Sequence, residues 1–105
     1  MEALTYYITC PDLVSAQRIG RELVQKRLAA CANILEGMRS IYWWEGELTE
    51  DQEVVLLVKT RAALGERLIA LTKQIHPYEV PCIVAWPITQ ANEDYINWIG
   101  QETQA

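Results

Sequence analysis

Val54-Val55-Leu56-Leu57-Val58 is apolar at five successive positions, where a strand with one wet face would alternate apolar and polar residues. Tyr6-Tyr7-Ile8, Ile41-Tyr42-Trp43-Trp44 and Ile83-Val84-Ala85-Trp86 repeat the pattern. These runs predict a sheet that is apolar on both faces. Only two long helical patterns are available to cover it, so one face stays open in a lone subunit, and a second copy of the chain is its natural cover.

Working outward, residues 4–9 read as a strand, and Asp12 after Pro11 can cap a helix running to about Leu28. Ala16, Ile19, Leu23 and Arg27 form one stripe of that helix, with Arg18, Glu22 and Lys26 on its wet side. A strand over 32–44 is interrupted at Glu36-Gly37, where glycine predicts a bulge or bend. Glu45-Gly46-Glu47 then turns a long hairpin into a strand over 48–60. Thr60 can cap a second helix over 62–75, stopped at His76-Pro77. A fourth strand spans about 82–88, and 92–101 reads as a short terminal helix anchored by Tyr95, Ile96 and Ile99. The order strand, helix, strand, strand, helix, strand predicts an α+β ferredoxin-like βαββαβ sandwich. A right-handed first crossover leaves room for the third strand between the first two. Residues 1–105 carry no linker, repeat or low-complexity tract and read as one domain.

Fourteen acidic residues against nine basic ones give a net charge of −5. Such a surface repels phosphate backbones and anionic membranes, so neither nucleic acid nor membrane is expected as a partner. No apolar stretch approaches a membrane span, and 1–4 lead into a strand without a charged leader, which predicts a cytoplasmic protein. Cys10, Cys31 and Cys82 are odd in number and fit reduced thiols better than a disulfide framework. In the expected fold Cys10 and Cys31 lie at opposite ends of the sheet, roughly 15–20 Å apart. Cys10, His76 and Cys82 fall at one end and form the best intramolecular metal-ligand candidate.

Leu28-Ala29-Ala30-Cys31-Ala32-Asn33-Ile34, Ser40-Ile41-Tyr42-Trp43-Trp44-Glu45-Gly46, Lys59-Thr60-Arg61, His76-Pro77-Tyr78-Glu79-Val80-Pro81 and Tyr95-Ile96-Asn97-Trp98-Ile99 together resemble the CutA divalent-cation-tolerance family over nearly the whole chain. The resemblance implies a homotrimer similar in architecture to the nitrogen-regulatory PII proteins, with sheets packed inward and hairpins pairing between subunits. It also implies a role in tolerance to copper and other divalent cations, anchoring of acetylcholinesterase in animal members, and no established reaction. Cys82 stands where many relatives carry glutamate, so metal ligands are not transferable at that position.

Soft thiolates and imidazole at Cys10, His76 and Cys82 suit Cu(I), or Cu(II) if carboxylates join. No paired spacing pre-organises such a site, and each thiol also reads as a small core hydrophobe. His76 equally reads as a helix C-terminal residue facing the last carbonyls. The aromatics, including Tyr42, Trp44 and Tyr78, suit either a subunit interface or a ligand pocket. In the sharper form of the pocket, an intersubunit cleft of Tyr42, Trp44, Lys59, His76 and Tyr78 takes a small molecule. There Lys59, with Arg61 beside it, binds an anion near His76. The acidic run Glu45, Glu47, Glu50, Asp51 and Glu53 reads as a solvated hairpin tip that binds cations loosely at most. With one histidine, no nucleophile elbow and no paired carboxylates, the chain is expected not to be an enzyme. Three roles follow: trimeric metal binding and tolerance, with copper or another divalent cation and no obligatory cofactor; a PII-like small-molecule sensor; or a trimeric protein-interaction scaffold.

Overall fold

In the computed structural model, which describes residues 1–103, the chain forms β1 (Ala3–Cys10), α1 (Leu13–Gln25), β2 (Cys31–Trp44) and β3 (Glu47–Arg61). A 3-10 turn at Ala62–Leu64 then leads into α2 (Gly65–Ile75), β4 (Ile83–Pro87) and α3 (Glu93–Glu102). The four strands make one sheet in the order β2-β3-β1-β4, each neighbour antiparallel. This is the expected α+β arrangement, with β3 inserted between the parallel strands β1 and β2.

Alternation along β1 and β3 divides the sheet into two faces. Tyr6, Ile8, Cys10, Leu56 and Val58 point to one side and are buried against Ala16, Ile19 and Leu23 of α1 and Leu64 and Leu68 beside and on α2. On the other side α3 covers only one end, where Ile99 packs with Ala3 and Ala30. The short terminal helix therefore shields part of the face expected to be open, but Leu35, Val84 and Trp86 remain 56%, 51% and 48% exposed.

Helix ends follow local chemistry. Asp12 accepts a hydrogen bond from Ser15 N at 2.8 Å and starts α1. The helix stops at Gln25, three residues before the expected end. Arg27 takes φ +62°, while Arg27 N–H donates to Val24 O and Leu28 N–H to Leu23 O. These two bonds are a Schellman closure built without glycine. Thr60 does not cap α2: its hydroxyl donates to Leu28 O at 2.7 Å in the interior, tying the end of β3 to the α1–β2 connection. His76 ends α2 in an extended conformation, as a residue before proline should.

The long hairpin carries the irregularity that matters most. Pairing runs Leu35 with Val55 and then Met38 with Glu53, so β2 holds one extra residue there, with Gly37 at φ +87°. A one-residue insertion exchanges the faces. Before it Cys31, Asn33 and Leu35 share the face opposite α1 and α2; beyond it Met38, Ser40, Tyr42 and Trp44 do. Ile41 and Trp43 fall on the reverse of the hairpin with Leu48, all about two-thirds exposed. Glu45 and Gly46, at φ +48° and +80°, form a two-residue turn of the type that matches strand twist.

Gly65 opens α2 against the buried Tyr6: a Cβ there would lie 2.5 Å from the Tyr6 hydroxyl oxygen. Helix propensity alone favours alanine over glycine by about 1 kcal/mol. Gly65→Ala should nevertheless lower the melting temperature, at a cost on the order of 1–3 kcal/mol. In a Tyr6→Phe background most of that loss should vanish. Thermal denaturation of the four-member cycle checks this, and equal losses in both backgrounds would refute the clash.

Candidate functional site

The face switch at Gly37 turns the hairpin aromatics toward a cavity of about 530 Å³ on the side of the sheet away from α1 and α2. Its floor is Tyr7, Thr9 and Glu53 of the central strands. One wall is Ser40, Tyr42 and Trp44 of β2, and the other is the Pro77–Val80 segment with Cys82. The Tyr7 hydroxyl meets Met38 Sδ at 3.2 Å, closing the floor beneath the bulge.

His76 shapes this wall from behind. Its Nδ1 accepts a hydrogen bond from Tyr78 N at 3.0 Å, so Nε2 carries the proton it places 2.8 Å from Thr9 O. The buried ring also lies 5.0 Å from the Tyr78 ring, centroid to centroid. Thus fixed, Tyr78 donates its hydroxyl to Glu53 Oε2 at 2.8 Å, and Tyr42 likewise donates to Asp51 Oδ2 at 2.6 Å. Burial, and next the hydrogen bond to Glu53, push the Tyr78 phenol well above its ordinary value. The Tyr42 phenol is raised chiefly by its bond to Asp51.

Glu53 is the cavity residue that sequence reading placed wrongly. It is 7% exposed and belongs to the cavity floor, not to the solvated tip. The available signal was parity: Glu53 lies two residues before Val55 and shares its face.

Of the sequence-predicted pocket residues, Tyr42, Trp44 and Tyr78 line the cavity, and His76 positions Tyr78. Lys59 is elsewhere. It pairs across the sheet with Cys31 and Thr5, donates to Asn33 Oδ1 at 3.2 Å, and lies 5.5 Å from the centre of the Tyr95 ring. Lys59 stands at the end where α2 begins and His76 at the end where it finishes, about 16 Å of helix apart. Within one chain Lys59 and His76 therefore do not meet, and the expected anion site would need Lys59 from a neighbouring copy. Arg61 is committed too, donating to Thr103 Oγ1 at 3.0 Å and to Gly100 O at the end of α3.

The expected Cys10–His76–Cys82 ligand set is also corrected. All three lie at one end of the sheet, as anticipated, but Cys10 points into the helix-side core while Cys82 lines the cavity on the opposite face. Both His76 nitrogens are engaged. Among the described residues no group of three or more His, Cys, Asp or Glu side chains is disposed to hold a metal ion. Burial, with the charges of Asp12 and Glu53, pushes the Cys10 thiol up to about 11, and burial chiefly raises Cys82.

Fold and site together define a ferredoxin-like α+β domain with an aromatic, acid-floored cavity on the less covered face of its sheet. Residues 4–102 match the family described as CutA1 divalent ion tolerance protein, and the chain belongs to that family. The divalent-cation tolerance protein CutA of Thermus thermophilus is 48% identical over 96 residues, covering 91% of this chain and 93% of that protein. Its namesake from Pyrococcus horikoshii is 45% identical over 98 residues, covering 93% and 95%. The crystal structure of CutA1 from Oryza sativa superposes with a TM-score of 0.96 at 36% identity, covering 99% of this chain and 95% of that one. The chain spans 56% of the mouse Protein CutA that it matches. The family is named for tolerance and not for a reaction.

Cys10 gives the site end a pH signature. Its folded pKa, about 11, lies above the ordinary thiol value of 9.0. Between those values the unfolded chain has lost the proton that the folded chain keeps, so stability is full below about pH 9 and falls as pH rises toward 11. The raised tyrosines act in the same direction. Urea denaturation from pH 8 to pH 11 should show this decline, and Cys10→Ala should make it shallower by about one proton. An unchanged slope would remove Cys10 from the account.

Proposed function

We propose that the protein serves tolerance to divalent cations, copper among them, as a homotrimer that binds its cargo and does not transform it. The observation that carries this reading is the family match over residues 4–102. The uncovered Leu35, Val84 and Trp86, with the exposed Ile41, Trp43 and Leu48 of the hairpin, support self-association through both the sheet face and the hairpin. Cys82 is an exposed thiol on the same cavity as Glu53 and Glu79. It offers a soft donor beside hard ones, a mixture suited to copper. The remaining donors then come from a neighbouring copy.

Competition titration of the metal-free oligomer with copper tests this. Cys82→Ser should weaken binding at least ten-fold, whereas Cys10→Ala, altering a thiol in the helix-side core, should leave it unchanged. Equal loss in both variants, or no loss at Cys82, would refute the assignment. A second reading, a small-molecule sensor, is favoured by the cavity itself. Its volume of about 530 Å³ falls within the range of small-molecule pockets, roughly 300–1,000 Å³.

A further inference from the structure

We propose that the outer surface of the helix layer, α1 beside α2, docks a short acidic segment of another protein, its carboxylates held by Arg18, Arg21, Arg67 and Lys73. The proposal goes beyond metal tolerance, and its surface lies on the opposite side of the sheet from the face proposed for self-association. Three observations carry it.

The first is how unevenly charge is distributed. The chain has a net charge of −5, yet α1, the Lys26-Arg27 pair after it and α2 hold six of its nine basic residues and two of its fourteen acidic ones. The other three basic residues share the rest of the chain with twelve acidic ones. A basic layer thus backs an acidic remainder, and the sign of the field that a partner meets depends on the face it approaches.

The second is that the layer does not neutralise itself. Lys26 pairs with Glu22 at 3.0 Å and Arg27 with Glu102 at 3.3 Å. Arg18, Arg21, Arg67 and Lys73 are exposed and pair with no carboxylate among the described residues. Glu66 stands in the first turn of α2 and Lys73 in its last, each where the helix dipole favours its sign. Arg18 of α1 donates to Ile75 O, two residues beyond Lys73, and so joins the free cations of the two helices into one surface. Three of the four are arginines, whose planar forks match a carboxylate through paired hydrogen bonds.

The third is what the layer lacks. Neither helix carries an aromatic residue, so an unpaired base finds no platform on which to stack. Val14 is the single large apolar residue exposed on the two helices, too little to seat in a bilayer interface. The 13 residues of α1 make a patch about 20 Å long, with the acidic remainder of the chain beyond it. A long polyanion such as duplex nucleic acid runs off the patch into that like-charged surface. An extended acidic segment of about six residues fits within it. In the proposed homotrimer three such layers face outward, so a partner with repeated acidic segments gains avidity.

Fluorescence anisotropy of labelled oligoglutamate and oligoglutamine peptides of equal length, titrated with the purified oligomer, tests this. Oligoglutamate should bind saturably at about 50 mM salt and about ten-fold or more weakly at about 500 mM, while oligoglutamine should not bind. Arg21→Glu and Arg67→Glu, made singly, should each weaken oligoglutamate binding by about five-fold or more, whereas Arg39→Glu, the same change of charge on the hairpin, should leave it unchanged. Because Arg21 and Arg67 lie on different helices, either variant decides if the other fails to fold, and the salt and peptide comparison on the unaltered protein decides if both do. Equal loss in the Arg39→Glu variant overturns the assignment to the helix layer. Tighter binding of a short DNA duplex, or of phosphatidylserine vesicles, overturns the choice of an acidic protein segment. Binding of none of these probes overturns the docking surface itself and leaves a solvated face.

Discussion

The constraint on which the rest depends is that β1 and β3, the two central strands, are apolar on both faces while α1 and α2 cover only one. Ile8, Leu56 and Val58 are fully enclosed on the helix side. On the reverse, Val55 is nearly buried, while Leu35, Val84 and Trp86 stay about half exposed. Each Å² of such surface removed from water is worth roughly 25 cal/mol. That is a sustained bias toward association for a chain this short, and it favours a partner that presents the same kind of face.

The bulge at Gly37 determines what that face carries. Without the inserted residue, Ile41 and Trp43 would look toward the cavity and Tyr42 and Trp44 away from it. With it, Tyr42 and Trp44 share the cavity with Glu53, and Ile41 and Trp43 are displayed on the other side of the hairpin. One irregular residue thus separates the aromatic lining of the cavity from an exposed hydrophobic surface along the same strand. His76 completes the cavity from the opposite wall. By accepting from Tyr78 N and donating to Thr9 O it spends both nitrogens on geometry and holds Tyr78 in place.

Much of the fold was legible in the residues. Runs such as Val54–Val58 state a two-faced sheet, Glu36-Gly37 marks the bulge, and His76-Pro77 stops a helix by steric necessity. The end of α1 was not legible, because Arg27 adopts a left-handed conformation that glycine would normally announce. Nor was the role of Thr60, whose hydroxyl finds a carbonyl 32 residues away in sequence. At the site, Tyr42, Trp44 and Tyr78 were recognisable as aromatics suited to a subunit interface or to a pocket, and in this chain they line a cavity. Lys59 lies at the other end of the sheet from His76 in the same chain, a separation that strand length sets. Glu53 was grouped with the charged tip by composition, although its parity with Val55 assigns it to the inner face. The Cys10 and Cys82 pairing failed for the same reason: strand ends were read correctly, strand faces were not.

Sedimentation equilibrium of the purified chain at micromolar concentration tests the central claim most directly. The uncovered sheet face and the displayed hairpin predict an assembly with no compact monomer in exchange, and the proposed homotrimer sets its mass at three times the 12.0 kDa of the chain. A folded, homogeneous species at the mass of a single chain would contradict the account.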